Sequence, residues 1–161
     1  MKNAAALYVL LVLCAGCGAM GWVTERYGPG PDSAEFERVF ETTVEQDGEA
    51  ISILATWYAG TYGYESFGDP IVDDPAGVLV VTRDEVIFFA WGYFEYTFEK
   101  TIPREDLKSV VVEAKKKSRL LVLVSEGEVN TFELVRDDRR FVDVESTEAI
   151  AAMLAHSLTE R

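Results

Sequence analysis

Past residue 17 the chain has no cysteine, and over its whole length it has a single histidine, His156. The body can therefore hold no disulfide and no thiolate metal site. One imidazole without a fixed nucleophile or ligand partner makes no catalytic constellation, and it reads as a surface or helix-end residue. A Gly-rich phosphate loop, a nucleophile elbow and the D-x-[DN]-x-[DN]-G spacing of a calcium loop are all missing. Basic residues are scarce as well: 15 Lys and Arg stand against 28 Asp and Glu, a formal net charge of -13. Such a chain repels polyanions before contact, so nucleic acid is excluded as an expected partner. This inventory predicts no enzyme chemistry, no metal and no cofactor.

What is present begins with one long apolar run. Met1-Lys2-Asn3 carries a single positive charge, and the uncharged stretch Ala4 to Val23 follows, most apolar over Leu7 to Leu13. That is a short basic region and an apolar region of signal-peptide size. Ala15 and Gly16 stand directly before Cys17. The order resembles the signal peptides of bacterial lipoproteins, with Cys14 in the place where that family usually has Leu. The resemblance implies a signal peptide over residues 1–16, cleavage before Cys17 and acylation of that cysteine. It further implies an extracytoplasmic protein, lipid-anchored to the cell membrane or, given Gly18, the outer membrane. On this reading Cys14 leaves with the signal peptide, and Cys14-Ala15-Gly16-Cys17 is no redox pair. An uncleaved helix is the alternative, because Ala4 to Val23 is just long enough to span a bilayer. Either way the chain after Trp22 lies outside the cytoplasm, since Lys2 is the only charge before the run.

With 161 residues, of which 48% are hydrophobic, one domain is expected. Residues 17–33 read as the lipidated N-terminus and a tether, because "TERYGPGPDS" is Gly- and Pro-rich and polar. Ser33 is placed to cap a short amphipathic helix over 34–48, with Phe36, Val39, Phe40 and Val44 on one face and Asp47-Gly48 ending it. From residue 49 the pattern is strand: Ala50 to Tyr64, Gly77 to Thr82, Glu85 to Phe89, Phe94 to Ile102, Lys108 to Ala114, Leu120 to Ser125 and Val129 to Val135. In Phe94 to Ile102 the aromatic residues Phe94, Tyr96 and Phe98 alternate with Glu95, Thr97 and Glu99, which predicts one inward face. Ser146 is a candidate cap for a last helix, Thr147 to Leu158, whose stripe is Ile150, Met153, Leu154 and Leu158. Such a sequence of elements predicts an α+β domain, a curled sheet covered at its open end by a helix.

The run "GVLVVTRDEVIFF", an aromatic strand, "TIPREDLKSVVVE", "RLLVLVSEGEVNTFELV" and a closing helix together resemble the GRAM and bacterial PH-like families. The residues that carry the resemblance are Gly77, Leu79 and Thr82, the apolar partner Val86 to Phe89, and Ile102, Pro103, Asp106, Leu107, Ser109 and Val110. It covers about Glu49 to Leu158, within a domain expected over 49–161, and implies a small β-barrel of two near-orthogonal antiparallel sheets, about seven strands, with a C-terminal capping helix. It also implies a module that binds a lipid, a peptide or a protein. Phosphoinositide is disfavoured, because the stretch Gly60 to Asp74 contains no Lys or Arg.

Three groups of side chains are candidate sites. The aromatic stretches "TWYAGTYGYESF" and "FFAWGYF" hold Trp57, Tyr62, Tyr64, Trp91 and Tyr93, a candidate surface for another envelope protein, read otherwise as core. The basic run Lys115, Lys116, Lys117 and Arg119 is a candidate contact for lipid head groups, or else a solvated turn that keeps a sheet edge soluble. Asp69, Asp73 and Asp74 read as a turn-forming loop. The function expected is non-catalytic recognition of a protein or peptide, with carriage of a lipid or other apolar molecule through a barrel mouth as the alternative.

Overall fold

A computed structural model describes residues 26–44, 50–59, 74–116, 118–138 and 141–159. Cys17, Tyr62, Tyr64, Lys117, Asp69 and Asp73 lie outside them. Among the described residues seven strands form one sheet: β1 (Ile51–Ala59), β2 (Ala76–Val81), β3 (Glu85–Gly92), β4 (Glu95–Pro103), β5 (Leu107–Lys115), β6 (Ser118–Ser125) and β7 (Glu128–Val135). Their order is β4-β3-β2-β1-β7-β6-β5, and every neighbouring pair is antiparallel. Helix α1 (Ala34–Thr43) precedes the sheet, a 3-10 turn (Arg104–Asp106) joins β4 to β5, and helix α2 (Val144–Thr159) follows it. The sheet is not closed into a barrel. Strands β4 and β5 remain as its two edges.

All seven strands nevertheless send side chains into one apolar cluster. Ile53, Leu79, Phe88, Ile102, Leu107, Leu123 and Phe132 meet there with Ile150 and Leu154 of α2. The stripe expected on the last helix is therefore the face that packs, with Met153 and Leu158 at its border. A second cluster occupies the other face of β1 to β4, where Leu54, Val78, Val80, Ile87 and Phe89 are covered by Tyr27, Phe36, Phe40 and Val44. Two covered faces explain "AGVLVV": all six residues of β2 are buried, so the strand is apolar throughout instead of alternating.

Four local expectations need correction. The tether is not free over its described part, because Tyr27, Gly28 and Gly30 are buried. The Tyr96 hydroxyl donates to the Tyr27 carbonyl at 2.9 Å and accepts from the Gly30 N–H at 2.9 Å, and the Tyr27 hydroxyl pairs with Thr56 Oγ1 at 3.0 Å. Glycine at positive φ, 73° at Gly28 and 111° at Gly30, lets this strap lie flat under aromatic rings. A Cβ on Gly28 would stand 2.5 Å from the Trp91 ring. Helix α1 does begin at the Ser33 cap, whose Oγ accepts from the Phe36 N–H at 3.2 Å, but its last residue is Thr43. Helix α2 begins at Val144, and its cap is Asp143: Oδ1 accepts from the Ser146 N–H at 3.0 Å. Ser146 is the third helical residue.

The fourth correction concerns β4. Tyr96 is buried, but against α1 and the strap, on the face opposite the main cluster. Phe94 and Phe98 are exposed. Phe94 stands in the turn before the strand, and Phe98 lies across from Phe89, on the Tyr96 side of an edge strand. A β-bulge follows: Phe89 pairs with Phe98 and Phe88 with Lys100, which leaves Glu99 as an extra residue. One extra residue reverses the parity of a strand. Tyr96 and Ile102, six residues apart, thus serve opposite faces of the sheet.

Candidate functional site

In the β3–β4 hairpin Gly92 pairs with Glu95, so Tyr93 and Phe94 are the whole turn. Their φ values are 52° and 66°. Both central residues are left-handed, the requirement of a type I′ turn, a place favoured by Asn-Gly. A bulky aromatic residue there is strained by roughly 1–3 kcal/mol. Neither ring recovers this cost by burial, since Tyr93 is 100% and Phe94 88% exposed. Two large apolar rings on a strained turn, facing solvent, are the least economical feature of the fold. The double variant Tyr93→Asn with Phe94→Gly, which supplies the residue types such a turn favours, is expected to stabilise the protein by about 1–2 kcal/mol. Urea denaturation checks this; a loss of stability would mean that the rings pack.

The hairpin stands on an aromatic base. Trp91 lies edge-on to Tyr96 with ring centroids 4.8 Å apart, and Phe36 meets Tyr96 at 5.3 Å and Phe89 at 5.5 Å. Trp91 is half-buried and closes over Gly28, so it is a supporting residue of the strap. Trp57 is likewise structural, its ring 5.8 Å from Phe88 and 6.5 Å from Phe132 in the main cluster. Its Nε1 is buried with no hydrogen-bond partner among the described residues. Of the expected aromatic surface only Tyr93 faces solvent among the described residues. Phe94 joins it, a residue outside the expected set.

The basic run is somewhere else. It forms the β5–β6 turn, where Lys115 pairs with Ser118, whereas Tyr93 and Phe94 form the β3–β4 turn. Lys116 is exposed there, while Lys115 and Arg119 are half-buried, and Arg119 donates to the Ser118 carbonyl. The aromatic and basic candidates are therefore separate surfaces.

Strand β5 pairs with β6 on one side only; Val110 and Val112 pack toward the main cluster, and Val111 between them is 45% exposed. A shallow polar cleft of about 240 Å³ lies between Pro103, Asp106, Glu126 and Glu128. The Lys100 ammonium reaches across to Glu128, and its hydrogen bond and charge hold that carboxyl below its ordinary value. A depressed carboxylate favours the fold above the ordinary range near 4.5, and the contribution is lost as pH falls through the lowered value. No cluster among the described residues could hold a metal ion, and no helix among them is long and apolar enough to cross a membrane. No family model, no curated protein and no solved structure matches the chain.

Proposed function

We propose that the chain is a lipid-anchored protein of the cell envelope, held through acylated Cys17, whose body is a non-catalytic PH-like module that recognises a protein or peptide partner. The PH-like reading is supported by seven antiparallel strands that share one core with a C-terminal helix. The partner reading is carried by strand β5. It is nine residues long, unpaired along one edge among the described residues, and it turns Val111 outward. An edge of this kind takes an added strand: main-chain hydrogen bonds supply affinity, and alternate side chains supply specificity. The exposed Lys116 at its end favours an acidic segment. Carriage of an apolar molecule is the weaker reading, because Phe88, Leu121, Leu123 and Phe132 fill the space a carried molecule would need, each 1% exposed or less.

Two measurements test the proposal in turn. Intact mass of the membrane-extracted protein, beside Cys17→Ser, is expected to lack residues 1–16 and to carry acyl chains that the variant lacks. Full-length mass in both would withdraw the anchor in favour of a spanning helix. Photocrosslinking from position 113, next to Val111 on the same edge, is then expected to give one discrete adduct in cells. Val111→Lys places a charge on that edge and is expected to weaken the adduct roughly tenfold at little cost to the fold. An undiminished adduct would remove β5 as the docking edge.

A further inference from the structure

We propose that the Tyr93–Phe94 turn rests in the polar–apolar interface of the bilayer that anchors the chain, a second and non-covalent contact that fixes which way the module faces. The proposal rests on the anchor at Cys17 put forward above.

Three observations lead to it. The turn presents two adjoining aromatic rings, 100% and 88% exposed, at φ values of 52° and 66° that disfavour them. A bilayer interface suits such a pair, because the tyrosine hydroxyl stays among head groups while both rings reach the acyl boundary. The anchoring segment also enters the fold at this corner. Gly28 lies under Trp91, two residues before the turn, and the strap is fastened there by Tyr96, two residues after it. From Cys17 to Arg26 the chain has nine steps, a reach of at most about 32 Å when extended. The corner that carries the aromatic turn is therefore held within reach of the lipid.

Charge selects the kind of surface. Residues 91 to 99 contain Glu95 and Glu99 and no Lys or Arg, so the contact gains nothing from anionic lipid. Insertion of this sort is apolar and interfacial, and zwitterionic phosphatidylcholine suffices for it. The basic turn at Lys115 and Lys116 belongs to a different hairpin, β5–β6, and does not share the contact.

The test uses the full chain, extracted from membranes and reconstituted in phosphatidylcholine vesicles, with a genetically encoded fluorescent amino acid in place of Tyr93 or of Lys116. Quenching by a lipid-borne nitroxide is expected to be roughly fivefold stronger at position 93 than at 116, and quenching by aqueous iodide to rank the other way. Phe94→Ser, with the probe at 93, should bring the two positions together. A probe at 93 as open to iodide as that at 116 would overturn the proposal, and so would lipid quenching confined to 116. Intact mass of the same sample reports acylation of Cys17 independently. A failed anchor and a failed insertion are thus told apart.

Discussion

Phe132→Ala is expected to lower the free energy of unfolding by about 3–5 kcal/mol, the range for removing a fully buried aromatic ring. Phe132 lies on β7, whose neighbours are β1 and β6. It is 0% exposed and touches Phe88 at 5.8 Å and Trp57 at 6.5 Å between ring centroids. Those two rings come from β3 and β1, so the lost volume sits where the two halves of the sheet meet. They are held by covered strands and cannot collapse into the space. Thermal and urea denaturation read the effect, with a fall in the melting midpoint of about 10 °C for a domain of this size. Phe141→Ala is the control: at 60% exposure it should change stability by less than about 0.5 kcal/mol. Equal effects from both would contradict the place of Phe132 in the main cluster.

Gly77→Ala is expected to be nearly as damaging, although it adds one methyl group. A Cβ at Gly77 would overlap the carbonyl oxygen of Phe89 and stand 3.0 Å from the Ala90 Cα. These are backbone atoms of the partner strand, with Gly77 paired to Ala90, and no rotamer can move them. Relief requires β2 and β3 to part inside a segment buried on both faces. A loss at or above the upper end of the usual 1–3 kcal/mol for overpacking follows, about 3 kcal/mol or more. Amide exchange should show the β2–β3 ladder opening first. At Gly92 nothing lies within 4 Å of the same added atom, and Gly92→Ala should change stability by less than about 0.5 kcal/mol. If both variants behaved alike, the close approach of β2 to β3 would be wrong.

The strands were legible in the sequence because apolar runs bounded by Arg83-Asp84, by the basic run and by Glu126-Gly127 leave few other choices, and all seven begin within three residues of their expected starts. Their sidedness was harder to read. Alternation in β4 is a real signal, yet it cannot say which face is inward when both faces are covered, nor can it foresee that Glu99 is an extra residue. The strap hid for a related reason: Gly28 and Gly30 look like flexibility in a string of letters, whereas here they admit aromatic rings at close quarters. Asp143 and Ser146 are both good caps by residue type, and only the Asp143 carboxylate reaching the Ser146 N–H decides between them. Within the candidate site, Tyr93 was legible as an aromatic residue in a dense aromatic stretch. Phe94 was not, because its alternation with Tyr96 assigns it to the core.

The pairing of β1 with β7 also governs when the fold can form. Leu54 pairs with Val135 and Ala59 with Asn130, partners more than seventy residues apart that close the middle of the sheet. The β1–β4 meander and the β5–β7 meander can each begin locally, but their common seam must await the last strand. Seams of such long sequence separation make folding slow, and a chain emerging from its N-terminus lacks one until β7 has been made. Pulse-labelled amide exchange during refolding should find the β1–β7 hydrogen bonds protected last, and until then Leu54, Ala55 and Phe132 stay accessible to whatever accompanies the nascent chain.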